Sequence, residues 1–425
     1  MKKIFIGWGK SRQLIKNEIT AGLTAFWAIS YIIVVNPLIL ADAGIPIDLS
    51  VFATIFTSVI GCAVMGIWAD APIILVPGMG VNAFFTYTVV MDMGFTWQEA
   101  LGIAFIAGIL FLLVACTCLA DILIRAVSPS LKYGITAGIG LFLIELGLEK
   151  GQLIEQGKNS LIKLASLQNP AALLTILGLI LSLVLYLRRV NGGFFIAIIL
   201  ISIVGNVIGV GKDVSLNVNL DKILLYRNMF FQNSFIHILD FKFWLAAFSM
   251  AMILIFDTVG ILEGLLPDKT KFKKTFSGSA AVTVVASIMG TSPTVVAAES
   301  GAGIISGGTN GIMALTAAVL FMLVLFFVPF LSYIPQSAVA PVIIITGTMM
   351  LQQLRYADFS DFSEWFPAVL LTVMIPFSGS ISTGLAFGFI VYPIMKLCTS
   401  KTNHIHPLMY AVAILFLVDL FVNNY

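Results

Sequence analysis

The stretch LVPGMGVNAFFTYTVV, Leu75–Val90, lies in a chain that is apolar almost throughout, yet it opens with a proline, two glycines and an asparagine. Proline and glycine interrupt a helix, and the asparagine amide needs polar partners once it leaves water. The setting explains the tension. Of 425 residues, 59% are hydrophobic and 10% charged, against about 25% charged in an ordinary soluble domain. With a mean hydropathy of +1.04 and apolar runs recurring from end to end, the chain reads as an all-α polytopic membrane protein.

Segments able to cross the hydrocarbon fall near residues 19–41, 50–69, 99–120, 131–148, 170–187, 193–211, 243–266, 276–290, 311–330 and 336–354. Shorter or interrupted ones lie at 72–91, 291–306, 364–377 and 379–397, about fourteen in all. A further apolar stretch, 407–423, contains Asp419 and is left open as a span. With the N-terminus inside, the short inner segments collect most of the lysines and arginines, among them Lys2, Lys3, Lys10, Arg125, Lys271 and Lys401, as the positive-inside rule requires. The rest fall in two long outer loops, 149–169 and 212–242, which translocate largely regardless of charge. The N-terminus is basic but has no apolar core ending in a cleavage site, so no cleaved signal is expected.

The two interrupted spans are the third and the tenth, seven apart. Since seven is odd, two seven-span halves would run in opposite directions, an inverted repeat of 7+7 spans. The tenth, GTSPTVVAAESGAGIISGG (290–308), shares with Leu75–Val90 an extended opening followed by a short helical piece. Non-helical backbone at membrane depth is tolerated only where it is buried in protein or lines a watery cavity. Pro77, Gly78 and Gly80 are therefore expected to break the helix so that free N–H groups face a ligand.

Acidic side chains at membrane depth are costly and usually functional. Glu299 lies on the broken tenth span and Asp257 mid-membrane in the eighth, with no lysine or arginine in either span to neutralise them. Each must share a proton, a polar ligand or a cation, and a carboxylate that alternates between charged and neutral forms is what proton coupling needs. Glu263 sits near the inner end of its span, where snorkelling to water is the plainer reading, and Glu145 near the outer end of the fifth is ambiguous. Asn82 offers donors and an acceptor to a planar heterocycle edge, and Phe84 or Phe85 could stack on a ring, although 33 phenylalanines make packing the commoner role. Cys62, Cys116, Cys118 and Cys398 read as packing thiols. No metal-ligand spacing joins them to His237, His404 or His406, and neither a metal nor another cofactor is expected.

These residues resemble the nucleobase–cation symporters, in particular the adenine/guanine/hypoxanthine permease (AzgA-like) branch. The motifs carrying the resemblance are AGLTAFWAISYIIVVNPLIL (21–40), VPGMGVNAFFTYTVV (76–90), SLKYGITAGIGLF (130–142), FDTVG (256–260), the 290–308 stretch and FFVPF (326–330). The resemblance implies a uracil-permease-like division into a core domain, residues 1–125 (spans 1–4) and 241–332 (spans 8–11), and a gate domain, 126–240 (spans 5–7) and 333–425 (spans 12–14 and the tail). It carries substrate binding over to Glu299, Asp257 and Asn82; Gly80, Phe84 and Ala298 are the further substrate-binding candidates, and Glu299 and Asp257 are also expected to couple protons. The expected partners are a purine nucleobase, a proton in preference to Na+, the lipid bilayer of the cytoplasmic membrane, and a second copy through the gate domain; no basic stripe suggests nucleic acid. Ile261, Ala297 and Ala298 stand where the family carries a hydroxyl or an aromatic ring, which leaves a roomier pocket and puts the particular base in question.

Other classes compete poorly. An intramembrane aspartyl protease needs two facing aspartates and a zinc enzyme needs grouped His or Cys ligands; the spans offer only Asp257, no histidine and no cysteines at metal-ligand spacing. Another planar or anionic solute such as uracil, xanthine or a small anion, or passive channel flux, remains an alternative within the same architecture.

Overall fold

The computed structural model describes residues 12–117, 126–157, 162–210, 222–399 and 406–423. Lys2, Lys3, Lys10, Cys118, Arg125, Lys401 and His404 lie outside the described residues. Nine helices among the described residues are long and apolar enough to cross a membrane, and shorter apolar ones cover Gly193–Ile208, Phe362–Ser378 and Pro407–Val418.

The first expected span is two helices, α1 (Arg12–Ile29) and α2 (Ile32–Asp42), with Ser30 and Tyr31 in the turn between them. α3 (Ile47–Val64) ends in a wider π turn, Met65–Ala69, closed by Asp70 in a left-handed conformation (φ 48°). Strand β1 (Leu75–Pro77) follows, then helix α4 (Met79–Ala83), which runs on as a π-helix over Phe84–Asp92. α5 (Trp97–Cys116) starts with a capping box in which Thr96 and Glu99 satisfy each other's end groups, an arrangement that stabilises a helix start by about 1 kcal/mol. α6 (Pro129–Lys150) and α7 (Pro170–Leu187) each open with proline at the first turn behind a capping Ser128 or Asn169, where the missing N–H costs nothing. Between them β2 (Ile154–Gln156) and β3 (Ile162–Leu164) form an antiparallel hairpin. α8 (Gly193–Ile208) completes the first half.

The second half repeats the plan. After a short helix, α9 (Ile223–Tyr226), come α10 (Phe241–Leu265) and α11 (Phe272–Ile288). Strand β4 (Thr294–Val296) leads into α12 (Ser300–Ile305), and α13 (Gly311–Val324) tightens to a 3-10 helix over Leu325–Tyr333. α14 (Gln336–Leu351), α15 (Phe362–Ser378), α16 (Ile381–Cys398) and α17 (Pro407–Asn423) follow. α17 covers the stretch left open in the sequence; it packs on α16 and α10, with Phe416 stacked on Phe389 at 5.2 Å.

β1 and β4 pair antiparallel, Leu75 opposite Val296 and Pro77 opposite Thr294, and all six strand residues are buried. The ladder satisfies the backbone groups that the broken spans free at membrane depth. Gly78 makes the crossing fit: a Cβ there would stand 2.4 Å from Val295 Cγ2. Helices α1 to α5 and α10 to α13 pack chiefly on one another, as do α6 to α8 and α14 to α16.

The two ends of the bundle differ. At one, the 222–240 segment straps over the ends of α3, α5 and α11: Lys222 pairs with Asp48 at 2.6 Å, Asn233 Nδ2 donates to the Leu101 and Ser287 carbonyls, and His237 pairs with Glu99. At the other, Lys271 reaches Asp70, whose second carboxylate oxygen accepts from the Gly311 N–H, and Glu18 accepts from Thr309 and Asn310. Among the described cysteines Cys62 is buried, as expected of a packing thiol, whereas Cys116 and Cys398 are exposed, because their helices turn those faces away from the packed interior.

Candidate functional site

The site is built where β1–α4 and β4–α12 cross against α2 and α10. Ser292, just ahead of β4, donates to Asn82 Oδ1 at 2.6 Å and to Asn36 Oδ1 at 3.3 Å. Asn36 in turn donates to Thr54 and Thr291. Five buried side chains from α2, α3 and both broken spans thus form one polar tie, with hydrogen bonds supplying specificity that packing of apolar side chains alone lacks. Ser300, the first residue of α12, accepts from the Ile74 N–H at 2.9 Å, and the Ala297 N–H donates back to the Ile74 carbonyl.

Glu299 sits at the junction of β4 and α12, partly exposed beside the exposed Ala298. Its carboxylate accepts a hydrogen bond from the Tyr31 hydroxyl. Asp257, on α10, is also partly exposed, and α10 packs on both β4 and α12. Asp257, Gly260, Ile261 and Gly264 stand at i, i+3, i+4 and i+7, one stripe of the helix. No atom lies within 4 Å of where a Cβ at Gly260 or Gly264 would be. That stripe therefore borders open space, here called the vestibule, toward the end of α10 nearest Lys271. Glu263 is exposed one step round the helix, in keeping with its snorkelling reading.

The sequence-expected residues divide. Glu299, Asp257 and Ala298 are brought to the vestibule. Asn82 and Phe84 are fully buried, Asn82 with its Oδ1 taken by Ser292 and its Nδ2 unpartnered. Gly80 is buried against α6, where a Cβ would meet Ile139 Cγ2 at 2.7 Å. All three are packed in the interior. Glu145 is half-buried on α6 with Oε2 lacking a partner. Sequence reasoning missed Tyr31 and Ser292. A hydroxyl-bearing aromatic within an apolar run was a usable signal for the first; nothing distinguished the second from the other serines. Three or more metal-binding side chains gather nowhere among the described residues.

At the opposite end α6 is tied to α2 and to Tyr87. Lys150 of α6 lies 2.5 Å from Asp42 of α2, Tyr87 donates to the same carboxylate at 2.6 Å, and the Tyr87 ring meets Phe142 of α6 edge-on at 5.7 Å.

Residues 16–387 match the Permease family. The chain is 38% identical to the guanine/hypoxanthine permease PbuO of Bacillus subtilis, over 96% of this chain and 98% of that one, and 32% identical to the adenine permease AdeP of Escherichia coli, over 95% and 92%. Among solved structures it is similar to the transmembrane domain of the cyanobacterial bicarbonate transporter BicA, with a TM-score of 0.61, 15% identity and coverage of 89% and 98%. It is also similar to the murine Solute Carrier 26 family member A9 anion transporter in the inward-facing state, with a TM-score of 0.59, 14% identity and coverage of 91% and 70%. The likeness to both establishes the fold, a helical membrane domain on the 7+7 plan, and the resemblance read from the motifs holds. Matched to the family over most of its length and to permeases nearly end to end, the chain belongs to the permease family and is a multi-pass membrane transport protein, not an enzyme.

Proposed function

We propose that this permease is a secondary active transporter that imports a purine nucleobase, adenine, guanine or hypoxanthine, by proton symport with alternating access. The observation carrying this reading is the pair of carboxylates, Glu299 and Asp257, bordering one vestibule at the crossing of the broken spans. The printed activities of the relatives, guanine/hypoxanthine and adenine permeases, agree with it. A purine presents ring N–H donors in a plane, which a carboxylate accepts in either protonation state. A proton taken up by one member of the pair relieves its repulsion by the other, so binding of the base and of the proton are linked at the same two side chains.

In this reading Glu299 and Asp257 hold the polar edge of the base, Ala298 lies against its face, and Gly80, Asn82 and Phe84 fix the floor. The core domain is 1–125 with 241–332, and the gate domain is 126–240 with 333–425, with a homodimer forming through the gate. The N-terminus and the Lys271 end are cytoplasmic, in the cytoplasmic membrane, which makes the conformation open to the inside. A buried polar site of this kind rejects a wrong base by leaving its own groups unpaired.

The test is uptake of radiolabelled adenine, hypoxanthine, guanine, xanthine and uracil into proteoliposomes, with and without an inward proton gradient, for the parent and for Glu299→Gln. Concentrative uptake of one or two purines that collapses without the gradient and in the variant is expected. Accumulation that ignores the gradient would sink proton symport, and downhill equilibration alone would make the protein a channel.

A further inference from the structure

Tyr31 lies in the turn between α1 and α2, is 1% exposed, and spends its hydroxyl on Glu299 Oε1. Its ring is held from the other side: Phe194 of α8 meets it edge-on at 6.0 Å, and Phe194 is stacked on Tyr186 of α7 at 5.9 Å. The hydroxyl is therefore fixed in place by packing. A glutamate χ3 is a broad, two-fold torsion, so an unsupported carboxylate at the vestibule would rotate freely and lose that freedom on binding a planar ligand. A fixed donor on one oxygen removes most of the rotation before the ligand arrives, and preorganisation of this kind appears as affinity.

We infer that Tyr31 is a positioning residue for the transported base: its hydroxyl locks the plane of the Glu299 carboxylate so that the remaining acceptor lone pairs face the vestibule. The inference rests on the function proposed above and adds to it a residue outside the acidic pair. Tyr31→Phe keeps the ring against Phe194 and deletes only the hydroxyl. Tyr392→Phe is the control, since it removes another tyrosine-to-glutamate hydrogen bond, to Glu364 at 3.0 Å between α16 and α15, which involves neither Glu299 nor Asp257.

The experiment is initial-rate uptake of the preferred base in proteoliposomes for the parent, Tyr31→Phe and Tyr392→Phe, with the melting temperature of each purified protein. Tyr31→Phe is expected to raise KM about tenfold, the scale of a hydrogen bond to a charged group, while the maximal rate stays within twofold and Tyr392→Phe leaves KM unchanged. A parent that transports a base while Tyr31→Phe keeps the parent KM overturns this inference alone, as does an equal KM change in Tyr392→Phe. A folded parent that transports no base overturns the proposed function and this inference with it.

Discussion

The Lys150 ammonium, in the last turn of α6, lies 2.5 Å from the Asp42 carboxylate at the end of α2, so one ion pair joins the two groups of packed helices. Tyr87 shares the same carboxylate and packs its ring on Phe142. The pair lies at the end opposite the open vestibule. If α6 moves against α2 to alternate access, this contact has to part.

Lys150→Met is therefore expected to loosen that end. Lys150 and Asp42 are 12% and 28% exposed, so the pair contributes about 1 kcal/mol after solvent screening. The readout is labelling of Phe142→Cys by a membrane-impermeant maleimide, in a background with all native cysteines replaced. A severalfold faster reaction in Lys150→Met supports the role of the pair as a latch, and an unchanged rate rejects it.

Gly80→Val should jam α4 against α6. The added Cβ would stand 2.7 Å from Ile139 Cγ2, closer than side chains tolerate, and overpacking of this kind costs about 1–3 kcal/mol. Uptake is expected to fall more than tenfold and to recover in part in the double variant Gly80→Val with Ile139→Ala, because the two residues share one contact. Independent, additive losses would place the effect elsewhere.

Lys396→Met removes the cation that holds two carboxylates together. Lys396 is 2% exposed and lies 3.2 Å from Asp361 and 2.6 Å from Glu364, with Ser363 and the Tyr392 ring around it. Stripping a buried pair of one partner costs about 3–5 kcal/mol, and the partly exposed carboxylates reduce that to about 2 kcal/mol. The melting temperature in detergent should drop by several degrees, and adding Glu364→Gln should restore part of the loss. No drop in Lys396→Met would mean that water takes over the role of the ammonium.

Asn82→Ala cuts the tie between the broken spans at Ser292. A stability loss of about 1 kcal/mol is expected from the hydrogen bond, reproduced by Ser292→Ala and not doubled in the combined variant. If Asn82→Ala raises KM for the base while Ser292→Ala does not, the amide reaches the ligand directly and the buried geometry seen here is only one state of the site.

The composition, the apolar runs and the paired breaks near Pro77–Gly80 and Pro293–Glu299 made the membrane class, the repeat and the two carboxylates readable from the residues alone. Those signals are local: hydrophobic length, helix-breaking residues and the cost of an unpaired acid at membrane depth all act within one segment. Tertiary structure decided which groups meet. Asn82 needs partners because it carries an amide in an apolar run, and Ser292, 210 residues away, supplies one of them, to Oδ1. Tyr31 looked like part of an apolar helix, yet the turn beside it aims the hydroxyl at a glutamate 268 residues on. The sequence alone determined the membrane class, the two breaks and the acids at membrane depth, because each follows from the solvent that a segment must satisfy. Only the folded chain decided that Asn82 is buried against Ser292, that Tyr31 holds Glu299, and that Asp42 meets Lys150, because the pairing of distant side chains depends on how helices cross and not on what any one of them contains.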